Sequence, residues 1–244
     1  MKKVEINNVT KSFGQLHTLD NISLTLEENQ FVTILGPSGS GKSTLFNIIA
    51  GLLMPDSGNV LIDGKDYRGK TGRVSYMHQK DLLLPWKSIL ENVCVPLILK
   101  GNSRKDSEEK ALKYFHLFGL DGFEKSYPNQ LSGGMRQRTS LLRTYLFSND
   151  IMLLDEPFGG LDAITKRKMQ HWILEVFKNL NASILFITHD IDEAIFLSDK
   201  IYVFTERPAS IKAVFEVNID RPRDDNTFTG AEFNEMKKKI LDLL

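Results

Sequence analysis

The sequence predicts an α/β fold in which a mostly parallel sheet forms the core, antiparallel strands precede it, and a helical subdomain is inserted into it. Three observations carry this. A glycine-rich stretch, Gly36-Pro-Ser-Gly-Ser-Gly-Lys-Ser-Thr44, stands between an apolar β-branched run and an apolar helical one. Two further runs, Asp150–Leu154 and Ser183–Thr188, are continuously apolar and end in polar residues, as strands buried on both faces do. Between about Ser88 and Leu146 the texture is helical instead.

In chain order, Val4 and Ile6, then Ile22, Leu24 and Leu26, alternate with period two, which predicts half-buried antiparallel strands with Phe13 in the turn between them. Phe31–Leu35 reads as a buried strand, and Leu45–Ala50 as a packed helix ended by Gly51. Pro55-Asp-Ser-Gly58 breaks the chain, Asn59–Gly64 is a short strand ending in an Asp-Gly turn, and Arg73–Met77 is a strand that delivers His78 and Gln79 to its carboxyl end. Ala111, Leu112, Phe115 and Phe118 recur at helical spacing up to Gly119, and Lys105–Lys110 form a charged face. Ser132 is placed to cap the last inserted helix, and Asp162 the helix carrying Met169, Trp172, Ile173 and Val176. After the strands Ile201–Phe204 and Ile211–Ile219, the stretch Arg221–Asp225 reads as a surface linker, and the tail from Gly230 as an amphipathic helix or a docking helix. The expected organisation is a core of residues 1–87 and 148–222, a helical insert of residues 88–147, and a tail of residues 223–244.

Composition narrows the function classes. Of 244 residues, 31 are basic and 31 acidic, so no overall field points to a nucleic-acid partner. The single cysteine, Cys94, excludes an intrachain disulfide and a cysteine zinc cluster, and reads as a small buried apolar residue. Met1-Lys-Lys leads into Glu5 and Asn7 rather than an apolar core, so no signal peptide is expected, and no apolar run approaches the roughly 18 residues of a membrane span.

The chemistry begins with residues 36 to 44, which fit the phosphate-loop pattern G-x-x-x-x-G-K-[ST]. Glycines let the backbone approach a nucleotide, so that the N–H groups of Pro37-flanked Ser38, Gly39, Ser40 and Gly41 can face one concavity at a helix N-terminus. Lys42 adds positive charge for the β and γ phosphates, and the Ser43 hydroxyl, beside Thr44, can ligate Mg²⁺. Accidental matches arise in about one chain in a hundred of this length. Asp155, following an apolar strand, suits a carboxylate orienting the Mg²⁺ shell opposite Ser43, and Glu156 suits a general base on the attacking water. His189 ends a neighbouring strand and is placed to donate to the γ-phosphate. Each also has a plain reading: an Asp-Glu pair more often caps a helix, a lone histidine more often fills a structural place, and Phe13 could equally stack on a purine or line the rim of the core. The turn Ser132-Gly133-Gly134 has the chemistry of a second phosphate site. One active site does not need two, but a second copy of the chain, arranged head to tail, would use both.

Taken together, Phe13, residues 36 to 44, Gln79, Leu131-Ser-Gly-Gly-Met-Arg-Gln137, Asp155-Glu156, Leu161-Asp162 and His189 occur in an order that resembles the ATP-binding subunit of ATP-binding cassette transporters across nearly the whole chain. The resemblance implies a phosphate-loop NTPase core that hydrolyses ATP, with ATP and Mg²⁺ as cofactors. It implies a homodimer sandwiching nucleotide, with Phe13 stacking the adenine and Ser132, Gly133 and Gly134 acting in trans. Gln79 would join Ser43 and Asp155 at the metal and couple it to the helical insert, and Lys42, Gln79, Glu156 and His189 would carry catalysis. Transmembrane permease subunits would dock a short helix near that hinge, an extracytoplasmic solute-binding protein would act indirectly, and nucleic acid would play no part. The place implied is the cytoplasmic face of the membrane. Gly159-Gly160 depart from the small residues, such as Ser and Ala, usual before Leu161-Asp162, and Phe13 replaces a frequent Tyr. Met77–Trp86 and Arg221-Pro-Arg223 look most like importers of nitrate, sulfonates, taurine or hydroxymethylpyrimidine. The rival class, a soluble cassette ATPase on nucleic acid or the ribosome, usually carries two cassettes or a long coiled coil, and this chain has neither.

Overall fold

A computed structural model describes residues 1–148 and 150–243. Two sheets organise them. The first is antiparallel, in the order β2-β1-β4-β5, built from β1 (Lys2–Phe13), β2 (Leu16–Glu27), β4 (Ser57–Ile62) and β5 (Lys65–Asp66). Its alternation is the one read from sequence: Val4, Ile6, Ile22, Leu24 and Leu26 point inward and are buried. Phe13 is the last residue of β1 rather than a turn residue, since β1 and β2 pair down to Phe13 opposite Leu16. Asp63 and Gly64 both have positive φ, 49° and 74°, the geometry that joins β4 to β5 in a two-residue hairpin.

The second sheet has the order β10-β9-β3-β8-β7-β6, from β3 (Phe31–Leu35), β6 (Ser75–Met77), β7 (Ile151–Asp155), β8 (Ser183–Thr188), β9 (Lys200–Phe204) and β10 (Ile211–Glu216). All its pairings are parallel except that of the edge strand β10 with β9. Every residue of β3, β7 and β8 is buried, which is why these strands read as unbroken apolar runs. Each of their buried Val, Leu, Ile, Phe and Met side chains contributes about 1.5–3 kcal/mol.

The helices α1 (Lys42–Ile49), α6 (Ala163–Asn179) and α7 (Ile191–Leu197) follow β3, β7 and β8. The insert holds α2 (Ile89–Leu99), α3 (Arg104–Leu112), α4 (Phe115–Phe118) and α5 (Gly133–Phe147). α2 opens with a capping box in which Ser88 and Glu91 satisfy each other's backbone N–H groups. The period through Ala111, Leu112, Phe115 and Phe118 yields two helices rather than one, because the chain turns at Lys113 and Tyr114 before α4. Leu112 is left 44% exposed by that turn, while Ala111, Phe115 and Phe118 are buried. Gly119, at φ 62°, closes α4 as expected.

The linker reading of Arg221–Asp225 fails at its centre. Arg223 is 6% exposed, and its guanidinium donates to the carbonyls of Ile195, Phe196, Ser198 and Ile219, so it caps the end of α7. Burial pulls its pKa down to about 10. Beyond it, α8 (Ala231–Leu241) packs on the core through buried Phe233 and Ile240 and is ion-paired to α7 through Lys237 and Asp192 at 2.7 Å.

Candidate functional site

The carboxyl ends of β3, β7 and β8 lie side by side because the three strands are parallel neighbours in register, Leu35 with Thr188 and Asp155 with Ile187. β3 runs into the loop Gly36–Gly41, and α1 starts at Lys42 with no side-chain cap, which leaves its first N–H groups to the loop's concavity. Gly41 has φ 116°, and a Cβ there would stand 3.0 Å from Thr18 and Leu19, so only glycine fits. Ser40 is buried and its hydroxyl has no hydrogen-bond partner, an orphaned donor inside the loop. The Lys42 ammonium, 4% exposed, donates to the carbonyls of Gly36 at 2.9 Å and Pro37 at 2.7 Å. Burial lowers its pKa, while Glu156 and Asp155 oppose that shift. Ser38, Gly39 and Ser43 are exposed along the same rim, with Thr44 half-buried behind them.

Asp155 ends β7 at 7% exposure. Burial raises its pKa, against the nearby Ser43 hydroxyl and the hydrogen bond it accepts from the Tyr76 hydroxyl, both of which favour the ionised form. Ser43 and Asp155 thus stand near one another, a pair of hard oxygen donors beside a loop with an orphaned hydroxyl, and they fit the Mg²⁺ that accompanies a nucleotide triphosphate. Glu156 turns away from the strand at φ 45°, a left-handed conformation that costs a non-glycine residue about 1 kcal/mol and is typical of functional sites. Its N–H is held by the Ile187 carbonyl at 3.0 Å. The Glu156 carboxylate accepts from Gln79 Nε2 at 3.2 Å and faces His189 Nδ1 at 3.3 Å, both through Oε2. The structure therefore brings together Gln79, Glu156 and His189 from three different connections, and Ser43 with Asp155.

Ser132, Gly133 and Gly134 lie elsewhere. Ser132 is exposed and caps α5 by accepting from the Met135 N–H at 3.3 Å. Gly133 and Gly134 abut Leu161 and Thr165 at the start of α6, not the phosphate loop. Gln79, Gly133 and Gly159-Gly160 line one cleft of about 390 Å³. A Cβ at Gly159 would stand 3.5 Å from the Gln79 amide, so the departure from a small side chain there leaves room beside Gln79. Phe13 is 47% exposed with the Lys11 ammonium 5.6 Å from its ring centre.

Two residues escaped the sequence reading. Tyr76 reaches Asp155 from β6; its signal was parity, since it pairs with Leu153, two residues before Asp155 and on the same face. Arg207, between β9 and β10, donates from Nε to the Gly39 carbonyl at 3.1 Å, and nothing local in the sequence points to that contact.

A second concavity of about 430 Å³ separates the core from the insert. Its walls are mainly apolar, with Leu52, Val74, Leu84, Pro96 and Leu99, and Arg143 and His78 at its polar edge. No helix among the described residues is long and apolar enough to cross a membrane.

Comparison with known proteins places this geometry. Residues 19–159 match the sequence model of the ABC transporter family. An uncharacterised ABC transporter ATP-binding protein of Methanocaldococcus jannaschii is 43% identical over 246 residues, covering 99% of this chain and 91% of the relative. An aliphatic sulfonates import ATP-binding protein of Bacillus cereus is 41% identical, covering 98% of this chain and 94% of its own. A formylaminopyrimidine import ATP-binding protein of Halalkalibacterium halodurans is 46% identical, covering 93% and 89%. Among solved structures, a dimeric ABC transporter cassette superposes with a TM-score of 0.76 at 30% identity, over 89% of this chain and all of that one. The same cassette in a post-hydrolysis state with ADP and phosphate gives 0.74 at 30% identity, again over 89% of this chain and all of that one.

Proposed function

Because the chain belongs to the ABC transporter family, as an ATP-hydrolysing subunit, we propose that it energises import of a small organic solute or anion through a separate membrane permease. The observation that carries this reading is the Glu156 carboxylate held between Gln79 and His189, beside a phosphate loop whose Lys42 is buried. Similarity to sulfonate and formylaminopyrimidine import subunits supports the direction of transport and the cargo class.

In this reading the loop N–H groups and Lys42 bind the triphosphate. Lys42 exchanges its two carbonyl partners for phosphate oxygens when ATP enters. Glu156 holds the attacking water and accepts its proton, and His189 donates to the γ-phosphate; the acceleration is positional and electrostatic. Ser43, Asp155 and Gln79 would hold Mg²⁺, which supplies charge neutralisation on the phosphates. Two copies close so that Ser132–Gly134 of each completes the other's pocket. The apolar groove beside Arg143 receives a short helix of the permease, which keeps the chain peripheral at the cytoplasmic face of the membrane, with a solute-binding protein acting on the far side.

The test is ATP-dependent uptake into vesicles carrying the chain with its permease, using a labelled alkanesulfonate and a formylaminopyrimidine in parallel, alongside phosphate release. Uptake of one cargo that disappears without ATP is expected. Phosphate release with no uptake of either would overturn the cargo class, and absence of phosphate release would overturn the reading as a whole.

A further inference from the structure

Tyr76 stands where two parts of the molecule meet. Its ring lines the apolar groove between core and insert, lies 4.1 Å from the ring of His78, and meets Phe46 edge-on at 5.8 Å and 83°. Its hydroxyl is on the other side, donating to Asp155 Oδ2 at 3.2 Å. The reach follows from the sheet: β6 and β7 are parallel, Tyr76 is opposite Leu153, and a long side chain on that face extends to the residue two places further on. Phe46, from α1, fixes the ring from one face of the sheet, and the remaining freedom of the phenol is taken up by the hydrogen bond.

We propose that Tyr76 is the positioning residue of the metal carboxylate: it holds Asp155 through Oδ2 so that the other oxygen is presented to the ion. The proposal rests on reading Asp155 as a metal ligand. A carboxylate has about four acceptor positions and turns freely about its last bond unless its oxygens are engaged. Tyr76 engages Asp155 Oδ2 from β6, so that oxygen is fixed before any ion arrives. Outer partners that orient a ligating carboxylate in this way are worth about tenfold or more in metal affinity. The same ring forms part of the groove wall, so anything seated in the groove bears on the side chain that orients Asp155.

Tyr76→Phe removes the hydroxyl and keeps the ring. With protein in excess over ATP, so that the nucleotide is bound, Mn²⁺ can be titrated and the free ion followed by its EPR signal. The variant is expected to raise the Mn²⁺ dissociation constant about tenfold, while its ATP affinity in EDTA and its unfolding midpoint without metal stay at wild-type values. Asp155→Asn serves as the reference and is expected to weaken Mn²⁺ at least as much. If Asp155→Asn weakens Mn²⁺ while Tyr76→Phe stays within about twofold of wild type, below the usual effect of such partners, the inference is overturned and the reading of Asp155 stands. An equal loss of ATP affinity with and without metal overturns it too, because the tyrosine would then support the loop rather than the carboxylate. No effect of Asp155→Asn removes the reading of Asp155 and the inference together.

Discussion

Gln79 and Glu156 meet through one hydrogen bond, from the amide Nε2 to the carboxylate Oε2 at 3.2 Å, and His189 faces that same oxygen at 3.3 Å. Glu156→Gln keeps the shape of this cluster and removes its basicity. ATP binding should persist, hydrolysis should fall by about a hundredfold or more, and ATP should drive accumulation of closed dimer on size exclusion. Brisk phosphate release by this variant would exclude Glu156 as the essential base.

Ser132 caps α5, and in the proposed dimer it also belongs to the turn offered to the second copy. Ser132→Ala loses the cap, about 1 kcal/mol, whereas Ser132→Asn keeps a capping side chain and alters only the turn's outer surface. Both should impair hydrolysis and leave ATP binding by isolated monomers intact. The shared-pocket reading predicts that Asn is as damaging as Ala; near-normal turnover of the Asn variant would assign Ser132 to helix capping alone.

Arg223 is a buried cation whose partners are carbonyls rather than carboxylates. Arg223→Met keeps much of the volume and leaves those carbonyls without a donor. The expected loss is about 3 kcal/mol, seen calorimetrically as a midpoint lower by roughly 6–12 °C for a chain of this size. A shift of under about 2 °C would mean that the capping contributes little.

Asp190 follows His189, caps α7 and pairs with Lys166 at 2.8 Å. Burial raises its pKa, but the Lys166 hydrogen bond and the N–H groups of Glu193 and Asp192 outweigh that, so the net shift is downward from 3.8. A carboxylate with a lowered pKa stabilises the fold above its unfolded value, and that stabilisation disappears as pH falls through the folded value. Asp190→Asn keeps a capping side chain and should cost about 1 kcal/mol near neutrality. The difference from wild type should shrink to nothing below the ordinary range of an Asp; urea titrations at several pH values would show it, and a pH-independent difference would remove the ion pair as its source.

What the sequence disclosed depended on whether a local pattern had a local cause. β3, β7 and β8 were legible because burial on both faces writes an unbroken apolar run, and their ends then located Asp155, Glu156 and His189. The caps at Ser132 and Asp162 were legible because an N-cap is decided within three residues. The break between α3 and α4 was not: Leu112 and Phe115 keep helical spacing across a turn, so periodicity alone runs through it. Arg223 looked like surface because charge in an Arg-Pro-Arg stretch usually is, and only the arrival of α7's carbonyls makes burial tolerable. Tyr76 and Arg207 act across strands or loops distant in sequence, Arg207 on Gly39 from 168 residues away. Their roles exist only once the sheet is assembled.

Cys94, the only cysteine of the chain, is buried in α2, and removal from water pushes its thiol up to about 11. A thiol so protected reacts slowly with maleimides near neutral pH. The native molecule is therefore already a quiet background for site-directed labelling. One introduced cysteine at Ile164, 70% exposed in the first turn of α6, would carry a spin label or crosslinker alone, and nucleotide-driven approach of two subunits could be followed as a distance without first stripping the wild-type chain of sulfur.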